Sequence, residues 1–128
     1  MAWLPLGLMA EIVSATDSRI TFVGRAIENN GSLTFDFPAT YFRVAFTGKS
    51  LSMRVTDTKR DFYAVWIDCP TSAEPTRVVE VKGCDTIVQL VLPKDLKISK
   101  KKEHQVVVQK RTEAGCGKTT VYEFITDG

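Results

Sequence analysis

The sequence predicts an all-β fold, an antiparallel β-sandwich of about eight to ten strands. Three observations lead there. Apolar and polar residues alternate with period two over most of the chain, as a half-buried strand requires. Turn-forming residues separate the alternating runs at short intervals. No stretch carries the period of an amphipathic helix.

The elements follow in order. The first ten residues, MAWLPLGLMA, are uncharged and mostly apolar. An Ala before Glu11 suits an export signal, but no basic segment precedes it and the run is short. A signal remnant, a cloning remnant and an N-terminal strand all stay open for 1–10, and 11–128 is expected to form one domain. The run ITFVGRAIE, residues 20–28, predicts two strands broken at Gly24. In SLTFDFP, Leu33, Phe35 and Phe37 fall on one face and Ser32, Thr34 and Asp36 on the other. Asn30-Gly31 ahead of it can supply the positive φ angles of a tight hairpin turn. YFRVAFT (41–47) puts Phe42, Val44 and Phe46 on one face, and Tyr41, Arg43, Ala45 and Thr47 on the other. After Gly48-Lys49, SLSMRVT (50–56) alternates Leu51, Met53 and Val55 with Ser50, Ser52, Arg54 and Thr56. Further strands are expected at 62–68, 76–82, 86–92, 104–111 and 119–126. The segments 62–68 and 86–92 are apolar on both faces, which predicts central positions. Only PKDLKISKK, residues 93–101, could form a helical turn.

Composition bounds the function. At 128 residues the chain is the size of one domain. Folding can bury roughly two-thirds of such a chain's extended surface. Hydrophobic residues at 44% and charged residues at 25% are ordinary for a globular protein. A net charge of +2 gives no basis for a nucleic-acid or anionic-membrane partner. No apolar run is long enough for a spanning helix. Cys69, Cys84 and Cys116 allow at most one internal disulfide, and with one histidine, His104, a zinc site is not expected. No cofactor is implied.

EAGCGKTT, residues 113–120, ends like a phosphate-binding loop. That loop needs a first glycine five residues before Gly117, where Thr112 stands, and a helix after it. TTVYEFIT is strand-forming instead, so a hairpin turn is the expectation. The lysines at 97, 100, 101 and 102 read as a solvated loop, and His104 as the first residue of a strand. Asp57, Asp61, Asp68, Glu80 and Glu123 show no acid/base spacing, although distant carboxylates can meet in an all-β chain. No Gly-x-Ser-x-Gly nucleophile elbow is present. Tyr41, Tyr63, Trp66 and Tyr122 could stack on sugar rings. Among them Tyr41, sharing a face with Arg43, is the candidate for an exposed carbohydrate contact. Trp66 is a weaker candidate, because its strand reads as buried on both faces.

The pieces VGR (23–25), FPATYFRVAFTGKSLSMRV (37–55), FYAVWID (62–68), HQVVVQKRTEA (104–114) and DG (127–128), in this order, resemble the N-terminal domain of bacterial carbohydrate esterases of family 2. The resemblance spans residues 20 to 128 and is most specific from His104 to Ala114. It implies a jelly-roll, galactose-binding-like sandwich that precedes an α/β hydrolase domain of the SGNH (GDSL) type. That domain carries the nucleophilic serine of an acetyl esterase acting on plant polysaccharides. No Gly-Asp-Ser occurs in this chain, so no catalytic residue carries over. The matching Gly24-Arg25 suggests a structural or interdomain role for Arg25, whose donor fork suits carboxylates and carbonyls. Cys69 stands where the family more usually has Gly, which leaves the turn after Asp68 open. The expected function is a non-catalytic accessory domain of an esterase that is secreted, periplasmic or on the cell surface. It would buttress a missing catalytic partner and contact polysaccharide. An independent carbohydrate-binding module and a structural surface sandwich are the alternatives. An apolar docking patch is expected near the C-terminus.

Overall fold

A computed structural model describes residues 11–96, 103–112 and 117–127. They form eleven strands: β1 (Glu11–Ser14), β2 (Ile20–Val23), β3 (Ile27–Asn29), β4 (Ser32–Phe35), β5 (Tyr41–Thr47), β6 (Ser50–Asp57), β7 (Arg60–Ile67), β8 (Arg77–Lys82), β9 (Thr86–Val91), β10 (Glu103–Lys110) and β11 (Thr119–Asp127). The predicted helical segment yields one 3-10 turn, Pro93–Leu96. The lysines at 97–102 lie outside the described residues.

Two antiparallel sheets face each other. One runs β2-β5-β10-β7-β8. The other runs β3-β4-β11-β6-β9, with β1 also paired to β11. β11 is shared along one edge: β4 pairs with Thr119–Val121, and β1 with Glu123–Thr126. A bulge at Tyr122 lies between these two pairings. Only β3–β4 and β7–β8 are chain neighbours paired in one sheet, and every other connection carries the chain across to the opposite sheet. The fold is therefore a jelly-roll sandwich.

The alternation places the core as expected. Phe42, Val44 and Phe46 of β5, Leu51, Met53 and Val55 of β6, and Val106 and Val108 of β10 are buried between the sheets. Phe42 bridges the layers, with ring centroids 4.9 Å from Phe22 and 5.2 Å from Phe124. The Asn30-Gly31 turn is present, with φ of 50° and 87°.

Several expectations are corrected. β9 is an edge strand rather than a central one, and its Ile87 is exposed. Its exposed residues, Ile87 and Gln89, face solvent and not a second buried layer. β7 does lie inside its sheet, between β10 and β8. β4 stops at Phe35, so Phe37 leaves the alternation and is exposed. The segments flanking Gly48-Lys49 lie in opposite sheets, as do those flanking Gly24. The turn before β11 is not a hairpin either, because β10 and β11 belong to different sheets. β1 was not foreseen, since four residues carry too little pattern. Cys69 and Cys84 are free thiols, and Cys116 lies outside the described residues. The turn after β7 takes its left-handed residue at Asp68, φ 55°, one position before Cys69.

Candidate functional site

Three places gather polar or exposed apolar residues. The first is the outer face of the β2-β5-β10-β7-β8 sheet. Tyr41 pairs across to Gln109, and Arg43 to Val107, which in turn pairs to Trp66. Tyr41, Arg43, Thr71, Val107 and Gln109 line a depression of about 120 Å³. Gln109 also borders a second hollow with Trp66, Ala64, Pro38 and Pro75. All three aromatic and basic candidates thus share one face. Trp66 is only 7% exposed, and its Nε1 donates to the Ala73 carbonyl at 2.9 Å. The 68–76 loop therefore roofs it, and Tyr41 and Arg43 are the accessible pair.

The second place is a patch at one end of the sandwich, centred on Arg25. Gly24 creates it: at φ 141° its α-carbon passes so close to Thr40 that a Cβ would lie 2.8 Å from that side chain. Arg25 then projects between two hollows that share Phe37. One, of about 190 Å³, also includes Ile27, Phe35, Asp36 and Lys118. The other, of about 300 Å³, includes Val23, Pro38 and Thr40. Val23, Ile27 and Phe37 are 43%, 71% and 50% exposed. The expected apolar patch exists, but not near the C-terminus. It flanks Lys118 at the start of β11, a nine-residue strand. At the usual rise per residue that is roughly 25 Å from the strand's other end. The chain needs all of β11 to form the middle of its sheet, so the two ends are held apart.

The third is a buried polar cluster that sequence spacing did not reveal. Asp57 ends β6 and Asp61 is the second residue of β7, and both are buried. Lys110 Nζ lies 3.2 Å from Asp61 Oδ1 and donates to the carbonyls of Asp36 and Thr112. The Thr112 hydroxyl donates to Asp61 as well. Tyr63 donates its phenol to Thr119 Oγ1 at 2.6 Å, and Thr119 donates to Asp57 Oδ2 at 2.7 Å. Burial, then a hydrogen bond with Asp61, pushes the Asp57 carboxyl up to about 6. Burial drives the Tyr63 phenol strongly up, so it stays a neutral donor. Asp61 is fully buried and ion-paired, so no substrate reaches it. The cluster ties together the ends of β6, β7, β10 and β11.

The other carboxylates singled out in the sequence are also partnered. Asp68 holds His104 Nδ1 at 2.7 Å and accepts from Gln105 N, which fixes the left-handed turn. Glu80 pairs with Arg60 at 2.7 Å, and Glu123 with Arg54 at 3.7 Å. Among the described residues no group of three or more His, Cys, Asp or Glu could hold a metal ion, and no helix is long and apolar enough to cross a membrane.

The two antiparallel sheets and their crossing connections define a jelly-roll domain whose buried carboxylates are engaged by neighbouring side chains. Residues 22–128 match the family model described as Carbohydrate esterase 2 N-terminal, and the chain belongs to that family. Among solved structures, it is similar to a family two carbohydrate esterase from Cellvibrio japonicus, at 23% identity and a TM-score of 0.78, covering 93% of this chain and 33% of that one. An acetyl xylan esterase from the rumen bacterium Butyrivibrio proteoclasticus matches at 14% identity and a TM-score of 0.71, covering 94% and 32%. A family 36 carbohydrate-binding module, solved with calcium and xylotriose, matches at 12% identity and a TM-score of 0.60, covering 90% and 97%. No match was found among curated protein sequences. The chain thus spans about a third of the length of the esterases it resembles.

Proposed function

We propose that this chain is the accessory N-terminal domain of a carbohydrate acetyl esterase whose SGNH (GDSL) hydrolase domain lies beyond these residues. The carrying observation is the family match over 22–128 in a chain that spans a third of such esterases. Its task is to buttress the catalytic domain and flank its polysaccharide substrate. Such an enzyme works outside the cytoplasm, where acetylated plant polysaccharides are found. The test compares the 128 residues alone with the longer polypeptide on acetylated xylan and on p-nitrophenyl acetate. Activity is expected only from the longer chain. Hydrolysis by the 128 residues that survives removal of contaminating enzyme overturns the reading. Detection of the full-length protein in the culture supernatant or envelope checks its location.

The Tyr41–Arg43 depression favours a second reading, a domain that binds sugar itself. Its mixed aromatic and cationic lining and the likeness to a carbohydrate-binding module support it. Affinity electrophoresis on soluble xylans and glucans separates the two. Retardation that Y41A abolishes supports sugar binding, and unretarded migration on every polymer removes it.

A further inference from the structure

We infer that the patch around Arg25 is the seat of the catalytic domain, and that this domain presents a carboxylate to Arg25 within an aliphatic surround. The inference rests on the accessory-domain reading above and deepens it. Arg25 is exposed, and among the described residues its guanidinium has no carboxylate partner. Three large apolar side chains, Val23, Ile27 and Phe37, stand exposed around it. An arginine among exposed aromatic and aliphatic groups is the composition of an interface centre and not of a solvated surface. The patch also carries Lys118 and one acidic residue, Asp36, so its charge balance is cationic. A partner that covers it must supply negative charge, or bury a guanidinium unpaired at a cost no interface sustains.

Two features separate this patch from the other exposed apolar residues. Ile12 on β1 pairs with the partly exposed Ile125, and Val78 on β8 and Ile87 on β9 lie in different sheets, so these three form no contiguous group, and scattered exposed aliphatics need no partner. The Arg25 patch is concave and contiguous, because Arg25 and Phe37 line both of its hollows. The occupant follows from length. About two-thirds of the length of the esterases that share this fold lies outside the matched part, so each has a further portion large enough to cover it. Since the patch lies at the start of β11, that portion reaches back along the sandwich from the strand's far end.

Carbodiimide cross-linking of the longer polypeptide, followed by peptide mapping, tests this directly. The reagent joins an amine to a carboxylate in contact with it, and Lys118 supplies the amine. The expected product links Lys118 to an Asp or Glu of the catalytic domain. The R25E/F37S variant should lose that link. Its protease cleavage between domains should rise roughly tenfold, the effect of losing one central interface contact. I87S, which alters an exposed apolar residue elsewhere, should leave both readouts unchanged. Far-UV circular dichroism confirms that the variants fold. A Lys118 link to a second copy of the chain, no link at all, or wild-type cleavage in R25E/F37S overturns the inference. Esterase activity on acetylated xylan is scored on the same samples. Its absence sinks the accessory-domain reading together with this one, and its presence beside an unreactive Lys118 sinks this one alone.

Discussion

At Gly117 a single hydrogen atom decides whether the polar cluster closes. The residue has φ 146°, and a Cβ built there would lie 2.3 Å from Asp57 Oδ1. Gly117→Ala must therefore displace Asp57 or shift the chain into β11. We expect a loss of about 1–3 kcal/mol in urea denaturation, the cost of a backbone forced where its surroundings do not permit it; an unchanged midpoint would refute the packing described. Asp57 itself makes stability depend on pH. Its folded pKa, about 6, lies above the ordinary 3.8, so between these values the folded state holds a proton that the unfolded state has released. The stabilisation from this group is complete below the ordinary value and is lost as pH rises through about 6. The groups facing it are the Asp61 carboxylate, the Thr119 hydroxyl and the Lys59 amide, with Lys110 behind Asp61. With Asp57 protonated, the cluster balances one lysine against one carboxylate. The thermal midpoint of the wild type should fall relative to that of D57N between pH 4 and 7, and parallel profiles would contradict the shift. Lys110→Met should cost about 3–5 kcal/mol, because Asp61 is then buried with its charge unmatched; equilibrium unfolding measures it. None of this was legible beforehand. Asp57, Asp61, Lys110 and Thr119 sit on four separate strands, and no local spacing records that their ends converge.

Among the strands, β11 carries the most structure. It borders β4, β1 and β6, and its Phe124 packs edge-on against Phe42 of the opposite sheet. Phe124→Ala should lose about 3–5 kcal/mol in denaturant unfolding, whereas Ile87→Ser on edge strand β9 should stay within about 0.5 kcal/mol of wild type. Part of this contrast was misplaced on paper: 86–92 was expected at a central position because Ile87, Val88, Leu90 and Val91 are apolar on both faces. Alternation reports which side chains turn inward, and it did so correctly for β5 and β6. It does not report which strand neighbours which, because pairing is set by connections that cross between layers. The same gap explains the hairpin expected before β11. Arg25 was legible as a family position, but its apolar ring was not, since Phe37 belonged on paper to the buried face of β4. Tyr41 and Arg43 were legible together because they share the face of a single strand.

Across the whole molecule, the order of crossings governs how it comes apart. Every connection except β3–β4 and β7–β8 carries the chain into the other sheet. Neither sheet is a continuous piece of chain, so neither can unfold while the other persists. Phe22, Phe35, Phe42, Tyr63 and Phe124 form one aromatic chain across both layers, which removes any second core that might melt separately. The described residues should therefore unfold in one cooperative transition. Most contacts join distant parts of the chain, so loop-closure entropy is spent before strand pairing returns it, and refolding should fall in the range of milliseconds to seconds. Trp66 reports on the β2-β5-β10-β7-β8 sheet, and replacing Trp3 by Phe leaves it as the sole indole. Its fluorescence and the far-UV circular dichroism should give the same urea midpoint. A separated pair of midpoints would mean that the sheets melt independently, which this order of crossings does not allow.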